Sequence, residues 1–149
     1  MSTAATARVP ATGIDPRGPQ FTAALTAVVL VVALLLPAPA ATVLVGVQAI
    51  LFATGAGLGV QRTPHAWLFR TVVRPRLGAP SELEDPAPPR FAQAVGLAFA
   101  LVALVGYASG VVLLGQVAVG LALVAALLNA VFRFCLGCEV YLLLKRATA

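Results

Sequence analysis

The chain has 149 residues, 60% of them apolar and 10% charged, with a formal charge of +5. A soluble domain needs roughly a quarter of its residues charged to face water, so that class is excluded and the lipid bilayer is the expected solvent. The length fits one module, and two cysteines confined to one short motif do not make a secreted disulfide framework.

Residues 1–20 are polar, rich in Pro, Gly, Ser and Thr, and without periodicity, which predicts a mobile tail. The first apolar run, 21–36, is stopped by Pro37 and Pro39 and is marginal against the ~17 residues that span the hydrocarbon core unless its flanks contribute. A basic start, an apolar stretch and Ala38-Pro39-Ala40 also fit a cleavable signal peptide. The long leading segment and the immediate return of apolar sequence argue against that reading.

A second run covers 41–60, broken by Gln48 and carrying Gly55 and Gly59 at a spacing that lets membrane helices approach closely. The connection 61–90 is the only long polar one. In its basic part, Arg70 and Arg74 share one helical face and Leu68, Phe69, Val72 and Val73 the other, with Trp67 near the boundary. That pattern predicts a short interfacial helix ended by Pro75, followed by an extended, proline-rich stretch whose Glu82, Glu84 and Asp85 are solvated or paired with arginines.

The third run, 91–110, contains Gln93 and a Gly106-to-Gly110 pair; the fourth covers 111–133. If helix persists to about residue 144, its roughly 51 Å exceeds the ~30 Å hydrocarbon core. A tilt, a break near Gly137 or an interfacial C-terminal turn must absorb the excess. Gln48 and Asn129, isolated in apolar runs, are expected to hydrogen-bond between helices.

The basic residues alternate with the spans: two before the first, five between Arg62 and Arg90, and Lys145 and Arg146 at the end, with none in the other two connections. Four spans with both termini in the cytoplasm produce that distribution. The positive charge therefore reads as topology, with anionic head groups and not nucleic acid as its partner. Arg in preference to Lys, with abundant Ala, Val, Leu and Gly, points to a high-GC bacterial genome.

The one chemically suggestive feature is Cys135-Leu-Gly-Cys138-Glu139. On a helix Cys135, Cys138, Glu139 and Leu142 fall within about 100° of arc, which would make two thiols and a carboxylate neighbours. Thiols at this spacing exchange with disulfides or bind a soft cation, and Gly137 between them could relax the backbone. Glu139 is a candidate proton acceptor, although its charge would also oppose thiolate formation. Inert packing explains the cysteines equally well, since cysteine behaves as a small apolar residue. Zinc needs further ligands from a dimer or partner, because the only histidine, His65, is distant. No cofactor is indicated, and a Ser-His-acid triad has no support.

Five segments together resemble the bacterial membrane-protein family known as domain of unknown function 4395: Asp15-Pro-Arg-Gly-Pro-Gln-Phe21, Leu68-Phe-Arg70, Val73-Arg-Pro-Arg-Leu-Gly78, Glu84-Asp-Pro-Ala-Pro-Pro-Arg-Phe91 and Phe134-Cys-Leu-Gly-Cys-Glu-Val-Tyr141. The resemblance implies a four-helix integral membrane protein of no established activity. It argues against signal-peptide cleavage, because the pattern begins before the first helix. It also implies a neighbourhood of thioredoxin-like or sulfur-transfer proteins.

The expected fold is all-α: a single membrane domain, 21–146, of four transmembrane helices in two hairpins, with an interfacial segment in the central cytoplasmic loop. The leading functional expectation is a thiol-redox or sulfur-handling component of the inner membrane acting through Cys135, Cys138 and Glu139. A structural or assembly subunit, or a small permease component, is the alternative, and soft-metal binding stands third. The small-residue helix faces offer a route to a homo-oligomer.

Overall fold

The computed structural model describes residues 13–149. Four helices are long and apolar enough to cross a membrane: α1 (Arg17–Leu35), α2 (Ala38–Leu58), α5 (Ala87–Ala108) and α6 (Val112–Phe132). Between the second and third of these lie the short helices α3 (Pro64–Leu68) and α4 (Arg74–Leu77), joined by a π-helical turn, and a final helix, α7 (Leu136–Thr148), follows the fourth. The described residues contain no strand; a single antiparallel bridge pairs Ile14 with Glu84.

Short links make each hairpin. After α1, Leu36 and Pro37 are extended, and Pro37 and Pro39 cost nothing at the start of α2, where the first amide donors have no intrahelical partner. Between α5 and α6 the chain turns through Gly110 at φ +83, a conformation that side chains with a Cβ resist. The four spans close into an up-down-up-down ring in which α1 packs on α2 and α6, and α5 on α2 and α6. Gln20 Nε2 donates to the Ala130 carbonyl at 2.8 Å, which sets the start of α1 beside the end of α6. Arg90 donates to the Ala56 and Gly57 carbonyls, each at 2.6 Å, and sets the start of α5 beside the end of α2. Those carbonyls are among the last of α2 and have no amide partner within the helix, so a cation there satisfies them and the negative end of the helix dipole together.

The two halves of the ring differ. Towards the short links it is tightly packed by small side chains, with Leu30, Ala33, Ala41, Val45, Ala103, Ala118 and Val119 buried against Tyr107. A Cβ built on Gly106 would lie 2.5 Å from the Gly115 amide nitrogen, so the α5 and α6 backbones touch there. Lipid supplies no hydrophobic force between helices, and close backbone approach through small residues provides the packing contacts instead. Large apolar side chains point outward all around, Leu35, Val43, Ile50, Leu113 and Phe132 among them.

At the other end, which carries the arginines, several expectations are corrected. The helix does not stop at Pro75. A π turn over Phe69–Val73, in which the Arg74 amide donates to the Phe69 carbonyl, precedes the proline, and helix continues to Leu77. A widened turn relieves the clash between a proline ring and the carbonyl of the preceding turn. Pro88 and Pro89 do not hold an extended loop but lie in the first turn of α5, which starts four residues before Phe91. Most of the predicted tail, residues 1–12, lies outside the described residues, whereas Pro19 and Gln20 already belong to α1.

The fourth span does not run on as one helix. Arg133 adopts the left-handed conformation, φ 55, and the chain is non-helical from Arg133 to Cys135 before α7 begins. The break, expected near Gly137, begins four residues before that glycine and ends two before it. Gly137 itself is helical and serves a different need: a Cβ there would stand 2.7 Å from both Cα and Cβ of Ala92, so the glycine lets α7 lie directly on α5. Phe91 and Tyr141 pack beside it, ring centroids 5.7 Å apart.

The expected small-residue pairs are also rearranged. Gly106 meets Gly115, not a partner for Gly110, and Gly110 is a turn residue. Gly55 makes room for the Gln93 side chain, while Gly59, at φ +106, lies beyond the end of α2.

Candidate functional site

The interfacial segment is held at the basic end by its own capping chemistry. Thr63 Oγ1 accepts the Ala66 amide at 3.1 Å and starts α3. Phe69 is buried against Gly18 and Phe21, its ring centroid 5.8 Å from that of Phe21, and Trp67 is exposed. Arg70 donates to the Gln61 carbonyl at 2.7 Å. Burial pushes the His65 imidazole down, which favours its neutral form at pH 7.

Before α1 the chain is clamped. Arg17 donates to both carboxylate oxygens of Asp15, at 3.0 and 2.8 Å, and reaches across to the Leu77 and Gly78 carbonyls that end the interfacial segment. The Arg17 guanidinium holds the Asp15 carboxyl below the usual carboxylate range. Ile14 and Glu84 exchange two backbone hydrogen bonds, at 2.9 and 2.8 Å. N-terminal segment, interfacial helix and acidic loop are thereby stitched together across one end of the bundle. Glu82, Glu84 and Asp85 form no ion pair with arginine among the described residues.

Beneath this cover the four spans diverge around a cavity of about 660 Å³. Its wall is mostly apolar, with Phe52, Phe69, Phe99, Leu121, Val124 and Val140 contributing, and it takes in Thr22, Thr26, Gln93 and Asn129 from three of the spans. Arg70 and Arg74 stand at its basic side. Gln48 lies higher in the ring and is 1% exposed, yet its Oε1 has no hydrogen-bond partner among the described residues. The expected interhelical bond to Gln48 Oε1 is therefore not made. Asn129 faces the cavity, and its side chain likewise has no hydrogen bond to the described residues.

Cys135 forms part of the cavity wall. It is bonded to Cys138 through a disulfide, the two Cα atoms 5.2 Å apart. Cys135 occupies the cap position of α7, extended at φ −87 and ψ 102, and its Sγ accepts the Cys138 amide at 3.2 Å. The motif therefore straddles the start of a helix and does not lie along the face of a continuous one. That placement gives the Cys135 sulfur an amide donor and the positive end of a thirteen-residue helix, both of which stabilise negative charge on it.

Glu139 is the next residue after the pair, exposed in the first turn of α7, where its charge suits the helix dipole, and it is not part of the cavity wall. The fold thus brings Cys135 and Cys138 together and leaves Glu139 beside them on the outer surface. No three His, Cys, Asp or Glu side chains converge among the described residues, so a metal at the cysteines would need ligands from another chain.

Thr22 and Thr26 escaped the sequence reading. Two hydroxyls four residues apart in an apolar run were the available signal, because that spacing puts both on one helix face.

No curated protein and no solved structure matches the chain. A family model does match, over residues 14–146, and the chain belongs to that family, described as Domain of unknown function (DUF4395).

Proposed function

We propose that this chain is a multi-pass component of the bacterial inner membrane that performs thiol–disulfide exchange through Cys135 and Cys138. The observation that carries the reading is the bonded pair at the head of α7, with the Cys138 amide directed at the Cys135 sulfur. The arginine distribution supports an orientation with the basic end in the cytoplasm. A disulfide in that reducing compartment is one that turns over and not a permanent brace.

A thiolate of a thioredoxin-like or sulfur-transfer partner attacks the Cys138 sulfur. A mixed disulfide forms, and Cys135 leaves as the thiolate that its amide donor and the helix dipole stabilise. A second partner thiol then attacks the mixed disulfide, releasing Cys138 as a thiol and carrying the new disulfide away on the partner. Glu139, exposed one residue further on, takes the proton released from the partner.

The test is redox trapping in cells. Cys135→Ser should accumulate a mixed disulfide through Cys138 to a thioredoxin-like partner, and rapid alkylation of the wild type should find the pair partly oxidised. Thiols that are always reduced, together with full function of a Cys135→Ser/Cys138→Ser double variant, would overturn the reading. That outcome would favour the alternative of a structural or assembly subunit, for which the close Gly106–Gly115 contact is the supporting observation.

A further inference from the structure

We propose that the cavity beside Cys135 binds a lipid-soluble quinone, and that the Cys135–Cys138 pair exchanges two electrons with it. The proposal rests on the thiol-exchange reading and names the membrane-side substrate of the same site.

Three observations carry it. The cavity lies at the basic end of the bundle, between the four apolar helices and the segments that cover them, has a volume of about 660 Å³ and a largely apolar wall, and so suits a planar ring with a short isoprenoid stretch. Cys135 belongs to that wall and Cys138 does not, so one cysteine faces the cavity while the other is left to an outside partner.

The third observation concerns threonine. Thr42, Thr54, Thr71 and Thr148 each donate their hydroxyl back to the carbonyl four residues earlier, at 2.7 to 2.9 Å. Thr22 and Thr26 line the cavity one helical turn apart on α1, and neither hydroxyl has a hydrogen-bond partner among the described residues. Thr26 is 4% exposed and Thr22 half-buried, so the little access their hydroxyls have is through the cavity. Gln93, also in the wall, has no hydrogen bond from its side chain to the described residues. These donors open onto the cavity with no partner from the protein, and quinone carbonyl oxygens are acceptors of the kind they lack. A saturated acyl chain would fill the space but satisfy none of them.

The chemistry balances. The Cys135 thiolate adds to a ring carbon of the quinone, forming a carbon–sulfur bond as an electron pair moves to a ring oxygen. The Cys138 thiolate then attacks the Cys135 sulfur. The sulfur–sulfur bond forms, the carbon–sulfur bond breaks, and its electron pair stays on the ring. Two thiols lose two protons and two electrons, and the quinone gains both as hydroquinone. The reverse sequence reduces the disulfide at the expense of hydroquinone.

Full-length protein in lipid nanodiscs, reduced and freed of reductant, is mixed anaerobically with a short-tailed benzoquinone. One hydroquinone should form for each Cys135–Cys138 disulfide. Thr22→Val with Thr26→Val should weaken the apparent quinone affinity about tenfold through the lost hydrogen bonds, leaving exchange with a soluble dithiol unchanged. A photoreactive quinone on Cys135→Ser protein should label peptides of α1 and α6, which reads binding without redox turnover. Thiols that stay reduced in quinone while still exchanging with a thioredoxin-like protein would overturn the quinone assignment and leave the thiol reading standing. Labelling confined to lipid-facing residues, or a cavity holding a co-purified phospholipid that quinone does not displace, would also overturn it. Loss of exchange with soluble dithiols and quinone alike in folded wild-type protein would overturn both readings.

Discussion

Gly137 stands directly against Ala92: a Cβ at residue 137 would lie 2.7 Å from the Ala92 backbone Cα. Backbone cannot swing aside as a flexible side chain can, so the position of α7, and with it the cysteine pair, depends on the absence of a side chain there. Gly137→Val is expected to destabilise the protein by about 1–3 kcal/mol through overpacking. It should also raise the rate at which Cys135, once reduced, is alkylated by a water-soluble reagent, as α7 lifts from α5. Thermal unfolding in detergent and a timed alkylation measure the two effects.

The same reasoning separates the glycines of the spans. Gly106→Leu must force α5 from α6, and folded protein recovered by size-exclusion chromatography should fall sharply. Gly46→Ala and Gly120→Ala place a methyl where nothing lies within 4 Å, in helix interiors. These two should be neutral or stabilising by up to ~1 kcal/mol, because alanine loses less backbone entropy than glycine in a helix.

Arg90 closes the end of α2. Replacing it by Met keeps the apolar stem but removes both donors to Ala56 and Gly57. The cost should be about 1 kcal/mol, since these exposed bonds compete with water. Hydrogen exchange should report faster opening of the last turn of α2, with Arg90→Lys recovering only part of the protection because one ammonium does not reproduce the two-pronged contact.

The clamp at Asp15 predicts a pH dependence with a definite sign. Its carboxyl is held below its unfolded value chiefly by hydrogen bonding to Arg17, so the stabilisation is fully present above the unfolded carboxylate range. It is lost as pH falls through the lower, folded value. Protection of the Ile14 amide, which donates to the Glu84 carbonyl, should therefore hold at neutral pH and weaken only in acid. Asp15→Asn should weaken it at neutral pH and flatten the acid response.

Much of this protein was determined by local sequence. Four apolar runs separated by prolines, a glycine turn and one polar loop dictate four spans, because a chain in lipid must satisfy its backbone within each helix. Membership of the family was legible in short segments from Asp15 to Tyr141 and is matched over residues 14–146. Position along the chain likewise placed Cys135 and Cys138 beyond the fourth span. The periodicity could not locate the break at Arg133, since one left-handed residue leaves no trace in a hydropathy pattern. Nor could it foresee helix through Pro75, which a single widened turn permits. The partners of the glycines were hidden for a related reason. Spacing within one helix identifies a small face but not what meets it, and Gly106 met Gly115 while Gly137 met Ala92.

Only the tertiary structure decided that Cys135 caps a helix and lines a cavity instead of continuing a helical stripe. That juxtaposition joins residues more than 100 positions apart, Thr22 and Thr26 on α1 with Cys135 before α7. It arises because the ring is tight where small residues meet and open at the basic end, where Phe52, Phe69 and Phe99 line the cavity.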